Sequence, residues 1–128
     1  MTEPLYRRPF DQEFRITCDF KCHLKYSTAP GVDWALPRTT PVLAARQGLI
    51  TYSQWGDRGG RYIMIRHPDG DLTLYSHLST LLRVKGEHVK AGYAIGLSGS
   101  TGHSTGPHLH FALKRKGKWI NPLPEIKE

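Results

Sequence analysis

Arg61-Tyr-Ile-Met-Ile-Arg-His67, the short Pro68-Asp-Gly70 and then Asp71-Leu-Thr-Leu-Tyr-Ser-His-Leu78 decide the fold of this 128-residue chain. Strict alternation predicts two strands. In the first, Ile63, Ile65 and His67 share one face; in the second, Leu72, Leu74 and Leu78 share one face, with Thr73, Tyr75 and His77 on the other. The Pro-Asp-Gly between them is a tight turn with glycine where a positive φ is wanted, so the pair reads as a β-hairpin.

Outward from the hairpin the same period-two grammar continues. Val32-Asp-Trp-Ala-Leu36, Val42-Leu-Ala-Ala45, Gly48 to Trp55 and His108-Leu-His-Phe-Ala-Leu-Lys114 read as strands, and a last short strand ends at Asn121-Pro122. Thirteen glycines and nine prolines punctuate the chain, and only residues 10–29 and 71–85 leave room for a three-turn helix. The expected fold is all-β, mainly antiparallel, with little helix. Residues 1–13 form a polar, proline-interrupted lead-in anchored by Tyr6 and Phe10, and residues 14–128 form a single domain, with length for one core and no more.

Eighteen Lys and Arg against eleven Asp and Glu give a formal charge of +7. That excess suits an anionic partner, whether nucleic acid, a membrane surface or a charged wall polymer. No apolar run reaches the ~18 residues of a membrane span, and the N-terminus carries no apolar stretch of a secretory signal. Nucleic-acid binding through Arg7, Arg8 and the Lys114–Lys118 turn lacks stacking aromatics or a groove-reading element. Cys18 and Cys22, about 13 Å apart if the segment is extended, are expected as free thiols.

The chemistry concentrates on histidine. In a strand, His108 and His110 project to the same face, while Leu109 and Phe111 go to the other. His77 sits at a strand end on a polar face. Asp33, an acid between Val32 and Trp34, costs desolvation unless it is paired, bound to a metal or accepting backbone N–H bonds. Gly102-His-Ser-Thr-Gly106 fits the nucleophile-elbow spacing, yet Pro107 and a strand follow where that device needs a helix. The same loop lacks the Gly-Lys-Ser/Thr ending of a phosphate cradle, and no His-Glu-x-x-His helix is present, so histidine must serve as the base of any zinc chemistry. His67, His88 and His103 are expected as surface or turn histidines.

Gly31-Val-Asp-Trp-Ala, Thr40-Pro-Val-Leu-Ala, Tyr75-Ser-His-Leu-Ser, Gly96-Leu-Ser-Gly-Ser-Thr-Gly and Gly106-Pro-His-Leu-His-Phe, in this order over roughly residues 14–122, closely resemble the lysostaphin/LytM-type zinc metallopeptidases. The resemblance implies a β-rich fold around a groove, one Zn2+, and cleavage of peptide cross-links in bacterial peptidoglycan. It places metal ligands at Asp33 and His110 and catalytic histidines at His77 and His108. Zinc would polarise the scissile carbonyl while the two histidines position a water, take its proton and protonate the leaving amine. Peptidoglycan, with anionic wall polymers, is then the expected partner of a monomer acting at the cell envelope, in the manner of a phage lysin or virion-associated enzyme.

One departure is specific. The family's first ligand is a histidine four residues before the aspartate, and Ala29 stands there. Catalytic zinc sites use three protein ligands plus water, and this pattern supplies two. The favoured account is an introduced, inactivating change, because His77, His108 and His110 are intact. The alternatives are a natural degenerate relative that binds peptidoglycan or regulates a lytic partner, and a substitute ligand among His23, Cys22 and Cys18. Upstream, Cys18-Asp-Phe-Lys-Cys-His23 replaces the family's Phe-Gly-x-Arg, leaving Tyr26 and His23 as candidates for the residue that assists the transition state; Thr39 replaces a turn glycine.

Overall fold

The computed structural model describes residues 4–25 and 27–127; Tyr26 lies outside the described residues. Ten antiparallel strands form one sheet: β1 (Ile16–Cys18), β2 (Val32–Trp34), β3 (Pro41–Leu43), β4 (Gly48–Gly56), β5 (Gly60–Arg66), β6 (Leu72–Leu81), β7 (His88–Val89), β8 (Ala94–Ser98), β9 (Leu109–Arg115) and β10 (Lys118–Ile120). Their order is β1-β2-β9-β6-β5-β4-β7, with β10 on β9 and β8 bridging β3 and β6. The β5–β6 turn closes as read, with Gly70 at φ +94° and its N–H donating to the His67 carbonyl at 2.9 Å. A single helical turn, α1 (Phe20–His23), and a 3-10 turn at Leu123–Glu125 are the helical elements among the described residues.

Register sorts the sheet into rows. Val32 lies opposite Phe111, Phe111 opposite Tyr75, and Tyr75 opposite Ile63. All four are fully buried and form the middle of the core, with Trp34, Leu78, Leu109 and Leu113 around them. The next row is Asp33, His110 and Ser76 across β2, β9 and β6. Because neighbouring positions of a pleated strand point to opposite faces, the second row points away from the core and lines a groove. Tyr6 and Phe10, each 1% exposed, close the core from the N-terminal side as expected, and Tyr6 bridges to Ile126.

Three sequence expectations are corrected. Tyr75 and Thr73, read as the polar face of β6, point inward, with the Tyr75 hydroxyl accepting from the Ala45 N–H, while Leu74 lines the groove. Period two groups residues onto a face without saying which face is inward, and the core here accepts a tyrosine whose hydroxyl is hydrogen-bonded. His67 is not a surface histidine: it is 3% exposed on the inward side with Ile63 and Ile65, held by the Gln47 carbonyl and the Thr73 hydroxyl. His88 and His103 are exposed as expected.

Cys18 and Cys22 are joined in a disulfide, with Cα atoms 5.5 Å apart. The reading of free thiols took the segment as extended. Instead Asp19 caps α1, its carboxylate accepting the Cys22 N–H at 2.9 Å, and one helical turn brings the two Cα atoms into the range a disulfide spans.

Candidate active site

The groove, about 540 Å³, runs across β2, β9 and β6 and gathers all four predicted site residues: Asp33, His77, His108 and His110. Gly31 brings β2 close enough for this. A Cβ there would stand 2.1 Å from the Phe111 carbonyl oxygen, so a side chain would push β2 off β9 and separate Asp33 from His110.

Asp33 is the centre of charge. Its Oδ1 lies 2.8 Å from His110 Nδ1 and 3.2 Å from His23 Nε2, and its Oδ2 lies 3.8 Å from His108 Nε2. Burial alone would raise the Asp33 carboxyl. Hydrogen bonds from His110 and His23, and the charges of His110 and His108, outweigh burial and hold it well below the usual carboxylate range. For His23, burial lowers the imidazole, yet the hydrogen bond and charge of Asp33, with smaller help from the backbone at Asp19 and Gly31, leave it raised.

His110 is fixed at both nitrogens, since Nε2 faces the Ala29 carbonyl at 2.8 Å. Position 29 therefore enters the site through its backbone. With Nε2–H donating to that carbonyl, Nδ1 is the nitrogen that can present a lone pair towards Asp33.

His77 and His108 form the second half, with ring centroids 4.4 Å apart. His77 Nδ1 donates to the Thr101 carbonyl at 2.7 Å, and His108 Nδ1 donates to the Gly106 carbonyl at 2.9 Å with the Ser104 hydroxyl 3.1 Å away. Each bond selects the tautomer that leaves Nε2 as the proton-accepting nitrogen. Burial pushes the His77 imidazole down to about 4, with the neighbouring charges of His108 and His110 adding to the effect against the opposing Thr101 hydrogen bond, so it is neutral at pH 7. His77 has φ +67°, a left-handed conformation that breaks the alternation of β6 and turns its ring into the groove although Tyr75 points inward.

Thr101, Ser104 and Gly106 were missed as positioning groups because their loop was read only as a tight connection. The loop is pinned where Gly102, at φ +75°, meets Gly60: a Cβ on Gly102 would lie 2.3 Å from the Gly60 nitrogen. Thr101 Oγ1 adds bonds to the Leu78 carbonyl and the Arg61 N–H. One carboxylate oxygen faced by two imidazole nitrogens is a donor set that suits zinc, and a neutral histidine pair beside it suits proton transfer. Cys18, His23 and Asp33 also place ligand-type atoms within 4.8 Å of one another, but Cys18 is spent in the disulfide.

Comparison with known proteins gives this geometry a context. The profile of peptidase family M23 matches residues 27–122. The peptidoglycan DD-endopeptidase ShyA of Vibrio cholerae is 38% identical over 123 residues, covering 91% of this chain and 29% of ShyA. A zinc-containing peptidase from Vibrio cholerae superposes with a TM-score of 0.81 at 32% identity, covering 92% of this chain and 39% of that one. The catalytic domain of the prophage-encoded M23 protein EnpA from Enterococcus faecalis superposes at 0.77 with 31% identity, covering 91% and 94% of the two chains. The chain spans between about a fifth and a third of the length of the curated relatives it matches.

Proposed function

The chain belongs to peptidase family M23, and from that premise we propose that it is a zinc-dependent endopeptidase cleaving peptide cross-links of bacterial peptidoglycan. The observation that carries the reading is Asp33 Oδ1 against His110 Nδ1 at 2.8 Å, with the His77–His108 pair on the same groove wall. Asp33 and His110 would hold the metal, and zinc when bound supplies Lewis acidity at the scissile carbonyl.

The remaining steps belong to the chain's own side chains. His77, neutral and oriented by Thr101, accepts a proton from the attacking water at Nε2; His108, oriented by Gly106, hands a proton to the leaving amine. The apolar floor of Leu74 and Met64 limits water around the peptide. The positive charge of +7 favours residence on an anionic envelope polymer, and the likeness to EnpA supports a phage lysin or virion-associated setting. Among the described residues no helix is long and apolar enough to cross a membrane.

On Asp33 and His110 alone, zinc would be held weakly and hydrolysis impaired. Ala29 also favours a second reading, a non-catalytic relative that binds peptidoglycan or regulates a lytic partner. The test is release of peptide fragments from purified peptidoglycan with zinc and with a chelator. Chelator-sensitive release establishes the enzyme; binding without release, in the wild-type chain and in Ala29→His, establishes the second reading.

A further inference from the structure

The histidine missing at position 29 has a replacement already seated in the groove. We propose that His23, carried on the disulfide-closed turn α1, is the third protein ligand of the metal site, so that the chain binds zinc through His23, Asp33 and His110. The inference rests on the metallopeptidase reading and names a ligand outside the family's pattern.

Position comes first. His23 is 3% exposed, lines the groove, and places Nε2 3.2 Å from the same Asp33 oxygen that His110 Nδ1 approaches at 2.8 Å. The two rings stand 4.7 Å apart between centroids, tilted by 59°. Three donors on one ion with metal–ligand bonds of about 2.0–2.1 Å at near-tetrahedral angles stand roughly 3.3 Å from one another. The printed separations of 2.8 and 3.2 Å need only small adjustments to reach that spacing.

Tautomer comes second. A metal-binding imidazole gives its other N–H to a backbone carbonyl or carboxylate. His23 Nδ1 faces the Asp19 carbonyl at 2.9 Å, and His110 Nε2 faces the Ala29 carbonyl at 2.8 Å. Both rings thus present the remaining nitrogen to Asp33. His77 and His108 are likewise held by backbone carbonyls, but their rings pair with each other.

Construction comes third. His23 ends a turn capped by Asp19 and cross-linked from Cys18 to Cys22, and Asp19 is also the residue whose carbonyl orients the His23 ring. The cap, the disulfide and the ring orientation converge on one side chain. That supplies a reason for a helical turn and a disulfide beside a site whose family ligand is absent. Among Cys18, Cys22 and His23, the disulfide removes both sulfurs as thiolate ligands and leaves the imidazole.

The experiment is zinc affinity, measured on the whole chain by competition with a chromophoric chelator. His23→Ala lowers it by at least about 100-fold, and Ala29→His placed in that background recovers it to within about tenfold. Ala29→His in the wild-type background keeps one zinc per chain with at most about a tenfold gain. Affinity unchanged in His23→Ala, or a gain above about 100-fold from Ala29→His alone, overturns the proposal. Should His23→Ala not fold, nitrogen-15 spectra of the wild-type imidazoles during zinc titration decide it: large shifts at His23 Nε2 and His110 Nδ1 support the ligand set, and a silent His23 refutes it. Zinc bound through His23 with no release of peptidoglycan fragments would sink the endopeptidase reading while leaving the ligand assignment standing. No zinc in any variant sinks both.

Discussion

Asp33 and Asp71 lie at opposite ends of the sheet, and each is ringed by partners, but of opposite kinds. Asp71, 4% exposed, takes a two-pronged grip from Arg115 at 2.9–3.2 Å and the Tyr6 hydroxyl at 2.7 Å, while Arg115 reaches on to Glu125 and Arg46 ties Tyr6 to Asp69. Its counter-charge is a guanidinium, present at every working pH. Asp33 is faced by His23, His108 and His110, which are charged only when protonated. A carboxylate with a permanent partner ties the fold together. One whose partners can all give up their protons can exchange them for a metal.

The contrast breaks most directly at the two carboxylates. Asp33→Asn should cost the largest effect, at least about 10³-fold in kcat/KM together with loss of zinc, because it removes the anionic member of the donor set. Thermal melts of the metal-free protein should move less than for Asp71→Asn. Asp71→Asn strips the partner from a buried guanidinium network and should lower stability by about 3 kcal/mol, read in urea, with zinc affinity unchanged. If Asp71→Asn loses zinc, or Asp33→Asn unfolds the chain, the division of roles is wrong.

Within the groove a finer separation is expected. His77→Ala and His108→Ala should each reduce kcat by about 10²–10⁴-fold while zinc affinity stays within a few-fold of wild type, since neither ring faces the Asp33–His110 contact. Thr101 holds His77 through its carbonyl, which no side-chain change removes. Thr101→Val therefore acts only by loosening the loop and should reduce kcat less than His77→Ala, with KM nearly constant.

The disulfide gives a smaller step. It closes a loop of five residues, and the chain-entropy cost of that closure is about 2 kcal/mol, so Cys18→Ser with Cys22→Ser should lower the urea stability by roughly that amount. Because the same turn seats His23, zinc affinity should fall in parallel, whereas the Asp71 network should not register the change. A double variant that keeps full zinc affinity would show that α1 is held in place by packing alone.

How much of this was legible in the residues differs between the two ends. Alternation revealed the hairpin, the shared face of His108 and His110, and the burial of Leu109 and Phe111, because period two is a property of local backbone geometry. It could not say which face of β6 was inward, and Leu74 and Tyr75 exchanged places; nor could it foresee the left-handed residue that turns His77 into the groove. The meeting of Asp33 with His110 depends on strand pairing across 77 positions, and it was reached only through resemblance to a family. His23 was visible as a candidate, but its place depends on one turn of helix in a segment read as extended. His67 shared a face with Ile63 and Ile65 in the alternation; its polarity alone argued for the surface.

His67 supplies the smallest and most local test. Burial is the largest influence on its imidazole and pushes it below the ordinary value near 6.5, with the Arg46 charge in the same direction and the Gln47 carbonyl, Asp69 and Asp71 opposing. Between the folded and unfolded values, the unfolded chain binds a proton that the folded chain refuses, so stability falls as pH drops below about 6.5 and is level above it. His23 runs the other way: its raised value favours the folded state below about 6.5 and loses that contribution as pH rises through the folded value. In the Asp33→Asn background, where His23 lacks its anionic partner, the loss of stability between pH 7 and pH 5 should therefore steepen, and His67→Gln added to that background should flatten it. An equal slope with and without His67 would mean that this histidine, though 3% exposed, takes up its proton in place, and that the Asp71 end of the sheet is as exchangeable as the Asp33 end.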